Sequence, residues 1–225
     1  DKTIINNLKN SITHFHEKNM DKLLKKNIDK NFFPTNDIIH LKKKKIDIIF
    51  FTIGTSIPSF PKDFKLNNFF KIINNIIDVF GKNPVYCLRT TIPVGTTDKL
   101  VKKYNNKLKI AYVGERIMEG NAIMEEKTLP KIIGTYEDQT YKILKSYFNS
   151  IGGKIIRTSN TKTAEFCKLV DNSYRSTIFA FANDIALCAE NNGIDVYEVI
   201  QNVNYNYKRN NVSKPGFVSG YCLGK

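Results

Sequence analysis

The residues of this sequence whose types and spacing suit chemistry are one thiol, two lysines, two carboxylates and several hydroxyls. Cys222 lies in the glycine-rich stretch Lys214-Pro-Gly-Phe-Val-Ser-Gly-Tyr-Cys-Leu-Gly-Lys225, with Lys225 three residues beyond it. Lys168 and Asn172 stand four apart in a stretch of helical spacing, so a helix puts them on one face. Glu115 and Glu119 follow an apolar run in Gly114-Glu-Arg-Ile-Met-Glu-Gly-Asn-Ala122. Thr52-Ile-Gly-Thr-Ser-Ile-Pro58 and Arg89-Thr-Thr-Ile-Pro-Val-Gly-Thr-Thr97 supply hydroxyls and backbone amides. A thiol near a cation suits nucleophilic chemistry, and carboxylates suit acid–base work. Each residue has a plainer reading as well. A lone Cys is often a small packed hydrophobe, a helical Lys a solvated charge, an acid after a strand a solvent-facing group, and Thr91 a turn former. His14 and His16 form an H-x-H pair, but no Cys or further His is spaced to complete a metal site, so no metal is expected.

Apolar periodicity predicts the elements that must position these groups. Ile4–Leu8 and Met20–Ile28 read as short helices with polar outer faces. Lys45–Gly54 is a nearly continuous apolar run, rich in β-branched and aromatic residues and stopped by glycine. That pattern predicts a strand buried on both faces of a parallel sheet. Helices are expected over Phe69–Phe80, Thr97–Tyr104 and Tyr136–Phe148, and strands over Val85–Thr90, Lys109–Val113, Lys131–Gly134 and Lys154–Arg157. Such alternation predicts a doubly wound α/β sheet, and three of the loops above then leave the carboxyl ends of strands, where ligands of these sheets bind. From Thr161 the pattern becomes one long helix ending at Asn192-Gly193, with Phe166, Leu169, Val170, Tyr174, Ile178, Phe181 and Ile185 at helical spacing. Asp195–Val203 is a further helix. The domain boundary is expected near Ser159, dividing the chain into 1–158 and 159–225. Cys87, Cys167 and Cys188 lie in apolar patterns and are expected in the core.

Of the 225 residues, 41% are hydrophobic and 25% charged, the balance of a globular protein rather than a disordered tail. Lys and Arg number 35 against 21 Asp and Glu, a formal net charge of +14. That field attracts anions: nucleic acid, acidic headgroups or phosphorylated small molecules. The crowding of Lys, Asn and Ile, as in Lys42–Ile46 and Ile72–Asn75, is also what an AT-rich coding bias produces without any binding role. The four cysteines form no C-x-x-C pair, and no apolar run has membrane-spanning length. A reduced, cytoplasmic protein is the simplest reading, with neither membrane nor nucleic acid expected as a partner.

Five segments, in order and over essentially the whole chain, resemble the UDP-glucose/GDP-mannose dehydrogenase family. The family's V-G-T-P loop stands here as Ile53-Gly54-Thr55-Ser56, and its S-T-V-P-x-G-T-T loop as Thr90–Thr97. Its P-E-R-x-x-x-G loop stands as Gly114-Glu115-Arg116 through Gly120. Its long helix T-A-E-x-x-K-x-x-x-N-x-Y-R is matched by Thr163-Ala164-Glu165 with Lys168, Asn172, Tyr174 and Arg175, and continues through Ala180-Phe181-Ala182-Asn183. Its G-G-x-C-x-x-K loop stands as Ser219-Gly220-Tyr221-Cys222 with Lys225. The resemblance implies a truncated Rossmann-like doubly wound domain, then a long central helix and the start of a helical middle domain. No G-x-G-x-x-G occurs, so the first βαβ unit of the NAD-binding domain is expected to be missing, and the resemblance implies that the C-terminal UDP-binding domain is missing as well, as in a fragment, a split gene or a decayed copy.

By this resemblance the cofactor is NAD, and the reaction oxidises a nucleotide-sugar C6 alcohol to the uronic acid by two hydride transfers. Cys222 is implied as the nucleophile that carries the thiohemiacetal and thioester. Lys225 and Lys168 are the cations that favour its thiolate. Lys168 and Asn172 would stabilise oxyanion charge, Glu115 would activate water against the thioester, and Thr91 would hold that water. The implied cofactor contacts are Gly54, Thr55, Thr91, Glu119 and Lys225. The implied substrate contacts are Glu115, Arg116, Lys168, Asn172 and Arg209. The family also implies a homodimer built on the long helix.

Arg116 after the base glutamate, and the stretch from Glu119 to Gly134, look more like the N-acetylmannosamine branch than the UDP-glucose branch, where Phe tends to follow that glutamate. UDP-N-acetyl-D-mannosamine, or another UDP-N-acetylhexosamine, is therefore the expected substrate, with UDP-glucose as the alternative. Two readings of other kinds stand beside it. One is a non-catalytic basic α/β module for nucleic acid, which calls for clustered Lys and Arg where this sequence scatters them. The other is a 3-hydroxyacid dehydrogenase, which needs no thiol.

Overall fold

The computed structural model describes residues 1–55 and 66–218. Three short strands, β1 (Ile48–Phe51), β2 (Val85–Leu88) and β3 (Lys109–Tyr112), form a parallel sheet in sequence order. Phe51, Leu88 and Tyr112 are aligned at its carboxyl edge. A second parallel pair, β4 (Lys131–Ile133) and β5 (Ile155–Arg157), meets the first sheet through an antiparallel bridge, in which Tyr112 and Gly134 exchange two backbone hydrogen bonds of 2.9 Å. The strands are shorter than the apolar runs that announce them. Of Lys45–Gly54 only four residues pair, because β2 offers four partners.

Period-two alternation splits the strands between two buried faces. Val85, Cys87, Ala111 and Val113 form a core with Ile133 and with Leu144 and Phe148 of the helix α6 (Asp138–Ile151), flanked by Ile48 and Phe50. The opposite face holds Phe51, Tyr86, Leu88 and Ile110, and the rings of Phe51 and Tyr86 stack with centroids 6.3 Å apart. The crossover helices α3 (Asn67–Phe80) and α4 (Thr96–Lys103) bury Phe69, Ile73, Ile77 and Leu100. They are joined by Tyr104 Oη donating to Asn74 Oδ1 at 2.8 Å. Burial on both faces is why the strands read as apolar runs, and it makes the fold the doubly wound α/β class.

Two short helices open the chain, α1 (Lys2–Lys9) and α2 (Met20–Asn27), and a single 3-10 turn spans His40–Lys43. A helix with no counterpart in the sequence reading, α5 (Ala122–Thr128), follows the third loop. The long helix α7 spans Thr161–Asn191, and α8 spans Val196–Asn204. The described residues fall into two compact units, one of residues 1–55 with 66–165 and the other of residues 166–218.

Helix α7 reverses the usual amphipathic arrangement. Its buried residues include Thr161, Ala164, Glu165, Asn172, Ala182 and Ala189. Phe166, Val170, Tyr174 and Phe181, which share the other face at helical spacing, are each about half exposed or more (59%, 48%, 64% and 54%). The cysteines need correction for the same reason. Cys87 is fully buried, but Cys167 is only half-buried and Cys188 is exposed, because α7 turns small and polar residues inward rather than its apolar ones.

Gly134, where β4 ends, lies so close to the start of α7 that an added Cβ would meet Ala164 Cβ at 2.7 Å, Asn160 O at 2.9 Å and Thr161 Cα at 2.9 Å. Gly134→Ala is expected to cost about 1–3 kcal/mol of stability in urea unfolding, since two of those three atoms belong to backbone. Gly54→Ala, with none of the described residues within 4 Å of the new Cβ, is expected to stay within about 1 kcal/mol of the parent.

Candidate active site

Three loops leave the carboxyl edge of the β1–β3 sheet, and their side chains tie them to one another. In the first, Gly54 is exposed, and no atom of the described residues stands within 4 Å of where a Cβ would be, which leaves its backbone open toward a ligand among them. Thr55 is buried, and its hydroxyl donates to the Thr91 carbonyl at 3.0 Å. From the second loop, the Thr90 hydroxyl donates to the Ile53 carbonyl at 2.8 Å and the Phe51 carbonyl at 3.3 Å. The Ile53 carbonyl, beyond the last ladder pair of β1, gains its donor in this way, while the Phe51 carbonyl also accepts from Arg89 N at 3.0 Å. Thr91 itself is buried.

The second loop ends in α4, and a buried carboxylate holds that helix start. Gly95 adopts φ +87°, a conformation L side chains rarely take, which turns its N–H inward. Glu165 of α7, with no exposed surface, accepts from Gly95 N at 2.5 Å, Thr97 N at 2.7 Å and Thr97 Oγ1 at 2.6 Å. A carboxylate at a helix N-terminus meets unpaired N–H groups and the positive end of the helix dipole. Burial nevertheless pushes the Glu165 carboxyl up, with the bonds to Thr97 and Gly95 working the other way. The next residue, Asp98, accepts from Tyr136 Oη at 2.9 Å and from the Thr161 hydroxyl, and pairs with Lys162 at 3.6 Å.

The third loop carries Glu115, Arg116 and Glu119. Glu115 Oε1 accepts from the backbone N–H of Arg116 (2.9 Å) and Ile117 (3.2 Å), while its Oε2 accepts from Arg89 Nη2. The Arg116 guanidinium reaches the Pro130 carbonyl at 3.5 Å, and Glu119 is exposed. Glu17, buried and far back in the sequence, braces the far end of this loop by accepting from Gly120 N at 2.9 Å and Ile123 N at 3.5 Å. Glu125 adds a bond from Met118 N at 2.6 Å.

Between the second and third loops lies a partly buried charge cluster, its cations buried and its carboxylates half-buried. Arg89 forks onto Glu126 (Nη1–Oε1 3.2 Å, Nη2–Oε2 3.3 Å), Lys131 Nζ donates to Glu126 Oε2 at 2.9 Å, and Phe148 and Phe50 lie under the guanidinium at 5.4 and 5.9 Å. Burial works to raise the Glu126 carboxyl, but the hydrogen bonds and charges of Lys131 and Arg89 outweigh it and hold it below the usual carboxylate range. Beside the cluster, burial pushes the Cys87 thiol up to about 12, against the pull of Arg89 and with some help from Glu115, so this cysteine stays protonated and inert.

The second unit holds the remaining residues. Asn172 is buried and Lys168 half-buried on α7; Arg209 is exposed, its guanidinium 4.7 Å from the ring centroid of Tyr207. The segment after α8 is gripped by two asparagine side chains, each making a paired donor–acceptor contact with backbone: Asn204 with Val212 (2.9 and 2.9 Å) and Asn183 with Gly216 (3.0 and 2.8 Å). Cys222 and Lys225 lie outside the described residues. Thus Gly54, Thr55, Thr91, Glu115, Arg116 and Glu119 sit on three loops at one sheet edge of the first unit, while Lys168, Asn172 and Arg209 belong to the second. Among the described residues no cluster of His, Cys, Asp and Glu is arranged to hold a metal, and no helix is long and apolar enough to cross a membrane. Arg89, Glu126, Glu165 and Glu17 were not singled out from the sequence, although Arg89 and Glu165 stand inside two of the quoted motifs.

A parallel sheet wound on both faces, with linked loops at its carboxyl edge, defines a doubly wound α/β class, whose ligands bind outside the carboxyl ends of the strands. The family profile "UDP-glucose/GDP-mannose dehydrogenase family, NAD binding domain" matches residues 1–152, and the profile of the same family's central domain matches residues 162–225. The chain belongs to the UDP-glucose/GDP-mannose dehydrogenase family. It is 34% identical over 157 residues to the UDP-N-acetyl-D-mannosamine dehydrogenase of Methanocaldococcus jannaschii, covering 68% of this chain and 36% of that protein. To the enzyme of the same name from Pyrococcus horikoshii it is 28% identical over 233 aligned positions, covering 99% of this chain and 54% of the relative. The solved structure of UDP-D-ManNAc dehydrogenase from Pyrococcus horikoshii superposes with a TM-score of 0.87 at 27% identity, over 98% of this chain and 54% of that one. A UDP-glucose dehydrogenase from Pyrobaculum islandicum shares the fold, with a TM-score of 0.79 at 20% identity over 99% of this chain and 54% of that one. The chain therefore spans about half the length of the Pyrococcus relative, and less of the Methanocaldococcus one.

The lowered Glu126 carboxyl sets a pH dependence. Because its folded pKa lies below the unfolded value of roughly 4.3, its contribution is complete above that value and is lost as pH falls through the folded one. In thermal melts the advantage of the parent over Glu126→Gln is expected to hold at neutral pH and to narrow as the buffer is taken below about pH 4.3. A constant difference across that range would contradict the assignment.

Proposed function

We propose that this chain is part of an NAD-dependent nucleotide-sugar 6-dehydrogenase whose substrate is UDP-N-acetyl-D-mannosamine or a close UDP-N-acetylhexosamine. The observation that carries the reading is the set of family loops at one sheet edge, cross-tied by Thr55 to Thr91 and by Arg89 to Glu115. The open backbone at Gly54, beside the amide- and hydroxyl-bearing second loop, fits one side of a dinucleotide. Gly54, Thr55, Thr91, Glu119 and Lys225 would hold the cofactor. NAD, when bound, supplies the hydride acceptor.

The chain's own residues supply the rest. Cys222 is the nucleophile, its thiolate favoured by Lys168 and Lys225. Lys168 and Asn172 stabilise negative charge on the substrate oxygen. Glu115 takes a proton from the water that hydrolyses the thioester, and Thr91 holds that water. Arg116 and Arg209 meet the sugar nucleotide. The N-acetylhexosamine preference draws support from Arg116 and from the names of the relatives. A homodimer through α7 is supported by the exposed stripe of Phe166, Val170, Tyr174 and Phe181, since a solvent-facing apolar row of this length marks an interaction surface.

The test is NADH formation by the full-length protein with both sugars. UDP-N-acetylmannosamine is expected to be preferred over UDP-glucose by about 10-fold or more in kcat/KM, and Cys222→Ala to lower kcat by more than about 100-fold. A preference for UDP-glucose would move the protein to the other branch; full activity in Cys222→Ala would end the thioester route. In sedimentation, Val170→Lys combined with Phe181→Lys is expected to yield monomer, and an unchanged dimer would remove α7 from the interface.

A further inference from the structure

Arg89 has a peculiar environment for a residue that only fills space. It is 8% exposed, its ring contacts are Phe50 and Phe148, and its Nε has no hydrogen-bond partner among the described residues. A buried guanidinium with an unpaired donor costs stability, and an apolar side chain of similar length often serves a core better. What an apolar side chain could not supply is the contact with Glu115. One edge of the guanidinium is fixed by Glu126, itself held by Lys131, and Nη2 is thereby delivered to Glu115 Oε2. Backbone N–H groups of Arg116 and Ile117 hold the other oxygen of Glu115. The carboxylate is thus restrained at both oxygens, by a side chain rooted in the second loop and by its own loop.

The geometry points to Arg89 as the positioning residue of the hydrolytic base: through its contact with Glu115 it sets the orientation in which that carboxylate meets water. This rests on the reading of Glu115 as base. In the step concerned, the water oxygen bonds to the thioester carbonyl carbon. The carbon–sulfur bond breaks with its electron pair going to Sγ of Cys222, a water proton passes to Glu115, and the acid product releases its own proton. No oxidation state changes, so loss of Arg89 should slow this step while leaving the preceding oxidations running.

The experiment is intact-protein mass measurement of the full-length enzyme, acid-quenched during turnover, alongside kcat and KM. Arg89→Met is expected to accumulate the sugar acyl adduct on Cys222, with kcat reduced at least about 10-fold and the KM for sugar and NAD falling with it, so that kcat/KM stays within about 3-fold of the parent. Arg89→Lys keeps the charge without the fork and is expected to fall between the two. Glu115→Gln, run in parallel, separates the two claims. If it does not accumulate the adduct, the base assignment fails. If it does and Arg89→Met does not, the Arg89 proposal alone is overturned. A loss of kcat in Arg89→Met without adduct is the signature of a purely structural role and also overturns it. Should Arg89→Met fail to fold, Arg89→Lys decides, and an adduct level no higher than the parent's counts against the proposal.

Discussion

The first unit is organised around one buried carboxylate. Glu165 enters the core with no exposed surface, which is tolerable only because three donors meet it, two of them backbone N–H groups at the start of α4. That arrangement imposes three requirements at once. Gly95 must adopt a positive φ, Thr97 must bring its hydroxyl, and the first turn of α7 must lie against the second loop. The same contact therefore fixes the loop that carries Thr91 and, through Thr55 and Thr90, the end of β1. Asp98, bonded to Thr161 and Tyr136, repeats the attachment one residue on.

The alternation of strand and helix was legible because parallel strands buried on both faces leave long apolar runs, and Ile48–Phe51, Val85–Leu88 and Lys109–Tyr112 all lie inside the runs that predict them. Their exact extent was not legible, since ladder length depends on the partner strand. Helix α5 was missed because seven residues hold too few turns for a period to stand out. The cluster around Arg89 left no local signal: its partners are 26 and 37 residues away, and charge pairing at such separations has no spacing rule. Glu17, more than a hundred residues before Gly120, is hidden for the same reason. Thr91 and Glu115 were visible as members of loops at strand ends, their particular roles only through the family resemblance. What the coordinates add is how those loops are tied.

Helix α7 shows where periodicity misleads. Apolar residues at helical spacing, such as Phe166, Val170, Tyr174 and Phe181, usually form a core face. Within this chain the helix buries small and polar residues instead, among them Glu165 and Asn172. Periodicity states that an apolar stripe exists; it does not state what covers it. Cys188 was misjudged for the same reason, and Cys87, in a strand, was not.

The four groups about Arg89 sum to zero: two cations, Arg89 and Lys131, against two anions, Glu115 and Glu126. Neutralising any one of them strands an odd charge in a sparsely hydrated place, a worse outcome than losing an opposite pair together. Neutral drift is therefore expected to spare Glu115, the proposed base, and to remove Glu126 only together with Arg89 or Lys131, so that the sum stays zero.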